Sequence, residues 1–302
     1  MTTSRTKTPL PLKGVRVLSL SLNLPGPAAL MRCRKLGATC VKLEPPPPAG
    51  AAPGVSGDPM GMYNRSAYDV MHQGVRIVVA DLKTEKGQKT LHRELSKTDI
   101  LMTSFRPSAL TKLGLDWKKL HKLYPSLSQI SIVGAPGPRA EEPGHDLTYL
   151  AENDLVSGLD LPSTLYADMG GSLMASEAVL TAMMVTQKSG KGVNIEVALS
   201  EAAGYLALPR SWGLTQSGSP VGGGHAGYRV YRCKDGRVAM AALEPHFAKA
   251  LCKAAEVPFM NMKTMLAPAT HALVANFLLT KSRKALETLA IDKDIPLHTM
   301  AP

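Results

Sequence analysis

The sequence predicts an α/β fold, with a Rossmann-like large domain followed by a smaller α+β domain. Two patterns predict it. Short β-type runs alternate with helical stretches as far as about residue 135, and a hairpin followed by helices occupies the last quarter of the chain. Residues 15–20 (VRVLSL) read as the first strand, and Gly26 and Pro27 lead into a helix over 28–36 that Gly37 ends. Residues 39–44 (TCVKLE) are the next strand, and strand–helix–strand at this spacing means parallel pairing. The alternation continues with a strand at 75–80, a helix at 84–95 with charged outer positions and a short buried strand at 100–103. A helix begins at 108–113 and a further strand runs over 127–133. Four consecutive prolines from Pro45 and the Gly-rich stretch to Gly61 read as a loop, because proline removes donors and glycine adds freedom. A helix is expected at 172–187, a turn at 188–192, a strand at 193–197 and a helix at 200–208. Residues 217–227 read as a Gly-rich linker, 228–233 and 238–243 as a hairpin around the 234–237 turn, and 246–255 and 270–279 as helices. The expected division is a large domain over 1–199, a helix and linker over 200–227, and a smaller domain over 228–302.

At 302 residues the chain can bury a substantial core, and with 44% hydrophobic but only 5% aromatic residues that core is aliphatic and methionine-rich. The Met169, Met174, Met183 and Met184 stripe reads first as core packing. The net charge of +11 suggests an anionic partner. Lysines and arginines are dispersed and no nucleic-acid motif accompanies them, so nucleic acid is not an expected partner. A phosphate-bearing small molecule and a solvated basic surface share the explanation. Cys33, Cys40, Cys233 and Cys252 show no CxxC pairing and read as thiols of a reducing compartment. Residues 1–11 lack an apolar signal core, although Arg5 and Lys7 among Ser and Thr faintly suggest a transit peptide. No run is read as membrane-spanning, so a cytoplasmic protein without a membrane partner is expected.

The chemistry is concentrated in Gly144-His145-Asp146 and, some two dozen residues later, Ala167-Asp168-Met169-Gly170-Gly171. An imidazole at a turn and a carboxylate at a helix start can serve as two bases for one carbon-bound proton. Imidazoles trade protons near neutral pH, whereas a carboxylate needs burial to do so. Small neighbours would bury Asp168, and Gly170 and Gly171 would leave N–H groups for an oxyanion. Blander roles stand beside these: a loop histidine, an N-cap aspartate, and for Glu244 a first-turn helix acid before Pro245. The stretch from Gly222 to Gly227 fits GxGxxG, but no strand precedes it and no helix follows, so it reads as linker.

With these motifs in view, the chain resembles the class III CoA-transferase and α-methylacyl-CoA racemase family (CaiB/BaiF-like). The resemblance runs from about Leu12 to Pro296 and rests on several pieces in order. They are Leu12-Lys13-Gly14-Val15-Arg16-Val17-Leu18 with Pro25-Gly26-Pro27, Leu36-Gly37-Ala38 with Val41-Lys42-Leu43-Glu44, and Asp81-Leu82-Lys83. Phe105-Arg106-Pro107, Leu113-Gly114-Leu115, the His145 and Asp168 motifs, Ser189-Gly190-Lys191-Gly192 and Leu243-Glu244-Pro245-His246-Phe247 complete the set. The resemblance implies an interlocked homodimer and an acyl-CoA thioester substrate, with no separate cofactor and no metal. Transferases of the family use an aspartate at the place of Asp168 as a nucleophile. Racemases carry the His–Asp pair and a Glu matching Glu244, here placed to orient or polarise His145. The presence of His145, Asp168 and Glu244 favours the racemase branch.

Coenzyme A presents phosphates, so its site should gather cations. The candidates are Lys42, Arg76, Arg106 and Lys112. This set is thinner than the family's, since Pro45 follows the 39–44 strand and Val75 replaces one member of a basic pair. The chain also ends soon after Pro296, where the family usually continues. Three functions follow in order of expectation: an acyl-CoA racemase, a CoA-transferase working through an aspartyl intermediate, and an inactive CoA-thioester-binding homologue.

Overall fold

The computed structural model describes residues 9–52 and 54–302, so most of the 1–11 leader reading falls outside the described residues. The chain divides into two compact units, the first ending at Ala207 and the second running from Leu208 to Pro302.

In the first unit the strands are β1 (Arg16–Ser19), β2 (Thr39–Glu44), β3 (Arg76–Val79), β4 (Ile100–Thr103), β5 (Ser128–Val133) and β6 (Asn194–Ala198). The helices of the chain are α1 (Pro25–Lys35), α2 (Pro59–Tyr63), α3 (Arg65–His72), α4 (Glu85–Leu95), α5 (Pro107–Lys112), α6 (Trp117–Leu123), α7 (Asp146–Glu152), α8 (Tyr166–Ser189), α9 (Leu199–Ser211), α10 (Pro245–Ala254), α11 (Pro268–Leu279) and α12 (Arg283–Lys293). The six strands pair in the order β3-β2-β1-β4-β5-β6, and every pairing is parallel. This is the doubly wound Rossmann order, and the Rossmann-like expectation holds.

Strand periodicity explains the two-sided core. Val17, Ile100, Met102, Ile130 and Ile132 face one side, with Ala29 and Leu30 of α1 and Ala175, Val179 and Ala182 of α8. Leu18, Leu20, Val41, Leu43 and Leu101 face the other, with Leu91 and Leu95 of α4, Leu110 of α5 and Leu120 of α6. Strands covered on both faces need no polar alternation, which is why β4 and β5 are buried throughout. The 24-residue helix α8 is long and apolar enough to cross a membrane by length and composition, contrary to the sequence expectation. Its alanines and Val179 lie in the sheet-facing core, and it packs along α1, which is how a central core helix of this fold is built.

Several elements were not expected from sequence: α12 and β9 (Leu297–Met300) of the second unit, and in the first unit α2, α3 and α6, which are short and locally capped. In the expected loop before residue 61, the Asp58 carboxylate accepts from Met60 N (2.9 Å) to start α2, and Asn64 Oδ1 accepts from Ala67 N (3.1 Å) to start α3. Asp116 caps α6 through Lys119 N (3.2 Å).

The second unit is a three-stranded antiparallel sheet, β7 (Tyr228–Cys233), β8 (Gly236–Ala241) and β9 (Leu297–Met300) in that order, backed by α10, α11 and α12. The α+β expectation holds, and the hairpin turns on Lys234 and Asp235, with Cys233 opposite Gly236. A Cβ at Gly236 would stand 2.3 Å from Met300 O, so the closeness of β9 requires glycine there. Residues 217–227, expected as a linker, instead form a compact run. A 3₁₀ turn spans Pro220–Gly222, His225 and Ala226 are buried, and Ala226 N donates to Met265 O (2.8 Å).

Candidate active site

In a parallel doubly wound sheet the neighbours β1 and β4 send their following connections to opposite sides and leave a crevice at their carboxyl ends. A cavity of about 810 Å³ lies there. Leu22 comes to it from beyond β1, Ser104, Phe105 and Arg106 from beyond β4, and Ile132 to Gly134 from the end of β5. The starts of α1, α7 and α8 reach it through Pro25, His145 and Leu165. Helix N-termini present N–H groups and a positive dipole end to this cavity, while Glu142, Asp146 and Asp168 bring carboxylates to it.

His145 and Asp168 both line this cavity. His145 is the exposed N-cap residue of α7, its N–H donating to Thr148 Oγ1 (3.1 Å). Asp168 sits in the first turn of α8 but does not cap it, because the N-cap is Leu165. Its half-buried carboxyl is raised from 3.8 to about 6, first by burial and then by the Asp146 carboxylate, with the His145 imidazole pulling the other way. Asp146, 5% exposed, accepts the backbone N–H of Asp168 at 2.9 Å. One hydrogen bond thus ties the start of α8, which carries Asp168, to the start of α7, which His145 caps.

Gly144 and Gly134 leave room for Tyr149. A Cβ would stand 2.6 Å from its hydroxyl oxygen at Gly144 and 2.2 Å at Gly134. Burial and then the Asp168 charge raise the Tyr149 phenol, keeping it a neutral donor on the cavity wall. Tyr63 lines the same cavity, and burial, Asp58 and then Asp168 raise its phenol too. Sequence reading missed Asp146, Tyr149 and Tyr63 as site residues. For the first two a signal was available: an Asp directly after His145 and a Tyr three residues on share the first turn of one helix.

Gly170 and Gly171 are not oxyanion donors. They lie beyond the first turn of α8, where backbone N–H groups belong to the helix ladder. Instead they let α9 approach: a Cβ would stand 2.2 Å from Leu199 Cδ2 at Gly171 and 3.3 Å from Leu206 Cδ1 at Gly170.

The candidate phosphate cations separate. Arg106 lines the cavity that holds His145 and Asp168. Lys112 lines a second cavity of about 680 Å³ beside it, which shares Leu22 and Phe105 and is walled by Leu43, Ala80, Leu82 and Lys83. Lys83 was part of the Asp81-Leu82-Lys83 motif but was not among the phosphate cations expected from sequence. Arg76 lines neither cavity and is ion-paired with Glu94. Lys42 requires correction as a phosphate ligand: its side chain is fully buried and its ammonium is held by Asp58, by Glu44 (3.3 Å) and by His72 Nε2 (2.9 Å). Glu244 belongs to the second unit, where it is the exposed N-cap residue of α10 and makes no side-chain capping bond.

Comparison with known proteins agrees with this architecture. Over 94% of its length the chain is 27% identical to cinnamoyl-CoA:phenyllactate CoA-transferase of Clostridium sporogenes, covering 76% of that protein. Over 80% of its length it is 30% identical to human α-methylacyl-CoA racemase, covering 64% of it. It thus spans roughly two thirds to three quarters of these relatives. A crystal structure of a hypothetical protein from Mycobacterium tuberculosis superposes with a TM-score of 0.80, at 22% identity, over 98% of this chain and 86% of that one. A CaiB/BaiF family protein from Brucella suis gives 0.76 at the same identity, over 98% and 84%. The sequence profile of CoA-transferase family III matches residues 12–301, which takes in both units and every motif described above, and the chain belongs to that family.

Proposed function

We propose that this protein inverts the α-carbon of a 2-methylacyl-CoA thioester by two-base proton transfer. The observation that carries the reading is the pairing, on one cavity, of an imidazole with a carboxyl raised to about 6. A thioester carbonyl acidifies its α-proton, but a base must still be matched to the task. The Asp168 carboxylate takes the proton from one face while the His145 imidazolium returns one to the other. For the opposite hand, neutral His145 takes the proton and the Asp168 carboxylic acid returns it. The intermediate enolate is stabilised by the converging helix starts and by the neutral phenols of Tyr149 and Tyr63. Neither base needs a metal or a separate cofactor in this scheme, since coenzyme A arrives as part of the substrate.

The coenzyme handle suits the second cavity, where an aliphatic lining meets Lys83 and Lys112, with Arg106 at the passage toward the bases. A homodimer also belongs to this reading. Leu173 and Met184 of α8 and Tyr205 of α9 stand 49%, 60% and 70% exposed, large apolar side chains of the kind an interface covers.

A transferase reading has its own support: the Asp168 carboxylate accepts no hydrogen bond from another described residue, and a transferase relative aligns along 94% of the chain. There Asp168 would attack the thioester carbonyl and expel CoA thiolate, which would then return to the resulting anhydride to give an aspartyl-CoA thioester and release the acid. One experiment separates the two. Incubation with 2-methyldecanoyl-CoA in D2O, without an acceptor acid, is expected to place deuterium at C2 and leave no hydroxylamine-trappable adduct on the Asp168 peptide. No exchange, but CoA movement on adding an acid together with a trapped adduct, would overturn the racemase reading.

A further inference from the structure

Lys42 has no access to solvent, yet it sits at the centre of a polar cluster that the chemistry above does not use. Its ammonium contacts Asp58, Glu44 Oε1 (3.3 Å) and His72 Nε2 (2.9 Å). An ammonium only donates, so His72 Nε2 accepts and its proton lies on Nδ1, which donates to Tyr68 O (2.7 Å). Burial, and then Lys42 itself, lower the His72 pKa, in keeping with a neutral ring. Tyr68 Oη donates to Glu44 Oε1 (2.7 Å) and Ser56 Oγ to Glu44 Oε2 (2.5 Å). Glu44, Asp58 and His72 are all buried, and their ligand atoms lie within 4.8 Å of one another, a set that could hold a metal ion. Here the ammonium already lies at the shared position.

The cluster reaches the active cavity through one residue. Asp58 Oδ2 holds Lys42, while Asp58 Oδ1 accepts two backbone N–H groups, from Asn23 (3.0 Å) and Met60 (2.9 Å). Both Asn23 and Met60 line the Asp168 cavity. Asn23 holds a left-handed backbone at φ 64°, a conformation that asparagine adopts more readily than other non-glycine residues. Tyr63, at the end of α2, extends the same wall, and its hydroxyl lies 3.4 Å from Asn23 Oδ1.

We propose that Lys42 is a positioning residue: a built-in cation that orients Asp58, which in turn fixes the Asn23 and Met60–Tyr63 wall where the acyl chain of the substrate lies. The acyl-chain part rests on the racemase reading; the positioning part does not. Without the ammonium, the two buried carboxylates repel and Asp58 turns from its amide partners.

The test compares wild type with Lys42→Met, which keeps length and removes charge, and with Asp58→Asn. Asp58→Asn keeps one acceptor oxygen but presents an amide NH₂ to the ammonium. Hydrogen exchange at the Asn23 and Met60 amides is expected to speed up at least tenfold in both variants, while the β4 and β5 amides keep their protection. With 2-methyldecanoyl-CoA, KM for α-proton exchange should rise about tenfold or more with a smaller change in kcat, as a wall displaced from its substrate requires. A merely structural loss would lower kcat through the folded fraction and leave KM unchanged. Unchanged amide exchange and KM in a folded variant would overturn the proposal. If Lys42→Met does not fold, Asp58→Asn decides alone. If wild type shows no α-proton exchange, the racemase reading fails, and amide exchange still decides the role of Lys42.

Discussion

Asp168→Asn separates what this carboxyl does for chemistry from what it costs the fold. The side chain is raised from 3.8 to about 6 by burial and by Asp146. Below pH 4 the carboxyl is protonated in both folded and unfolded chains and has no net effect. Between pH 4 and 6 the unfolded chain releases the proton while the folded chain retains it, and above 6 both are ionised. The folded state then carries a charge in an unfavourable place, so stability is lost as pH rises through this window. A rise of this size corresponds to about 3 kcal/mol, and solvent at the cavity mouth reduces the expected value to about 2 kcal/mol. Asparagine keeps the shape and drops the charge. No side-chain hydrogen bond to another described residue is lost, since only the backbone N–H of Asp168 bonds Asp146. Asp168→Asn is therefore expected to unfold about 2 kcal/mol harder than wild type at pH 8, with the gain vanishing near pH 4, and to lose α-proton exchange altogether. Guanidinium unfolding at a series of pH values measures the first, and deuterium incorporation the second. Equal stability at pH 8, or a gain that does not depend on pH, would refute the electrostatic argument. Full exchange activity in a stable variant would remove Asp168 from the mechanism.

His145→Ala is expected to abolish α-proton exchange from at least one enantiomer while CoA-ester affinity, read by calorimetry, stays within about threefold; unchanged exchange from both hands removes the imidazole from the reaction. Asp146→Asn keeps an acceptor for the Asp168 N–H but removes the charge that raises the Asp168 carboxyl, so the acid limb of the exchange–pH profile should move below 6; an unmoved limb means that Asp146 does not tune the base. Lys83→Ala and Lys112→Ala should each weaken binding of free coenzyme A about fivefold, and Arg76→Ala should leave it unchanged, because only the lysines line the second cavity; a loss confined to Arg76→Ala would place the coenzyme elsewhere.

The inner strands of the large sheet were legible because they are almost wholly buried and mostly apolar, so 39–44 and 100–103 coincide with β2 and β4. The small helices α2, α3 and α6 were not, because each is only a few residues long and depends on its cap: Asp58, Asn64 and Asp116 supply what periodicity cannot show over so short a run. The same limit explains how the site was read. His145 and Asp168 stood out by type and motif, and the fold brings both to one crevice. Lys42 misled because a basic residue in a strand reads as an anion ligand, while the partners that bury it, Asp58 and His72, lie 16 and 30 residues on, the first in a stretch read as loop and the second in one given no element.

That failure has a physical sense of its own. Within β2, Lys42 and Glu44 face the same side, two residues apart, and an isolated strand gives no reason to bury either. Only the return of the 56–72 segment supplies the second carboxylate and the imidazole that make burial tolerable. The segment in turn has too few apolar residues of its own to fold alone, with Met60, Tyr68 and Met71 forming a small core against Ala28. The charge cluster and the cavity wall therefore have to form together. A buried charge with an incomplete set of partners is costly, so the arrangement specifies one position for the wall more sharply than apolar packing of the same few residues would.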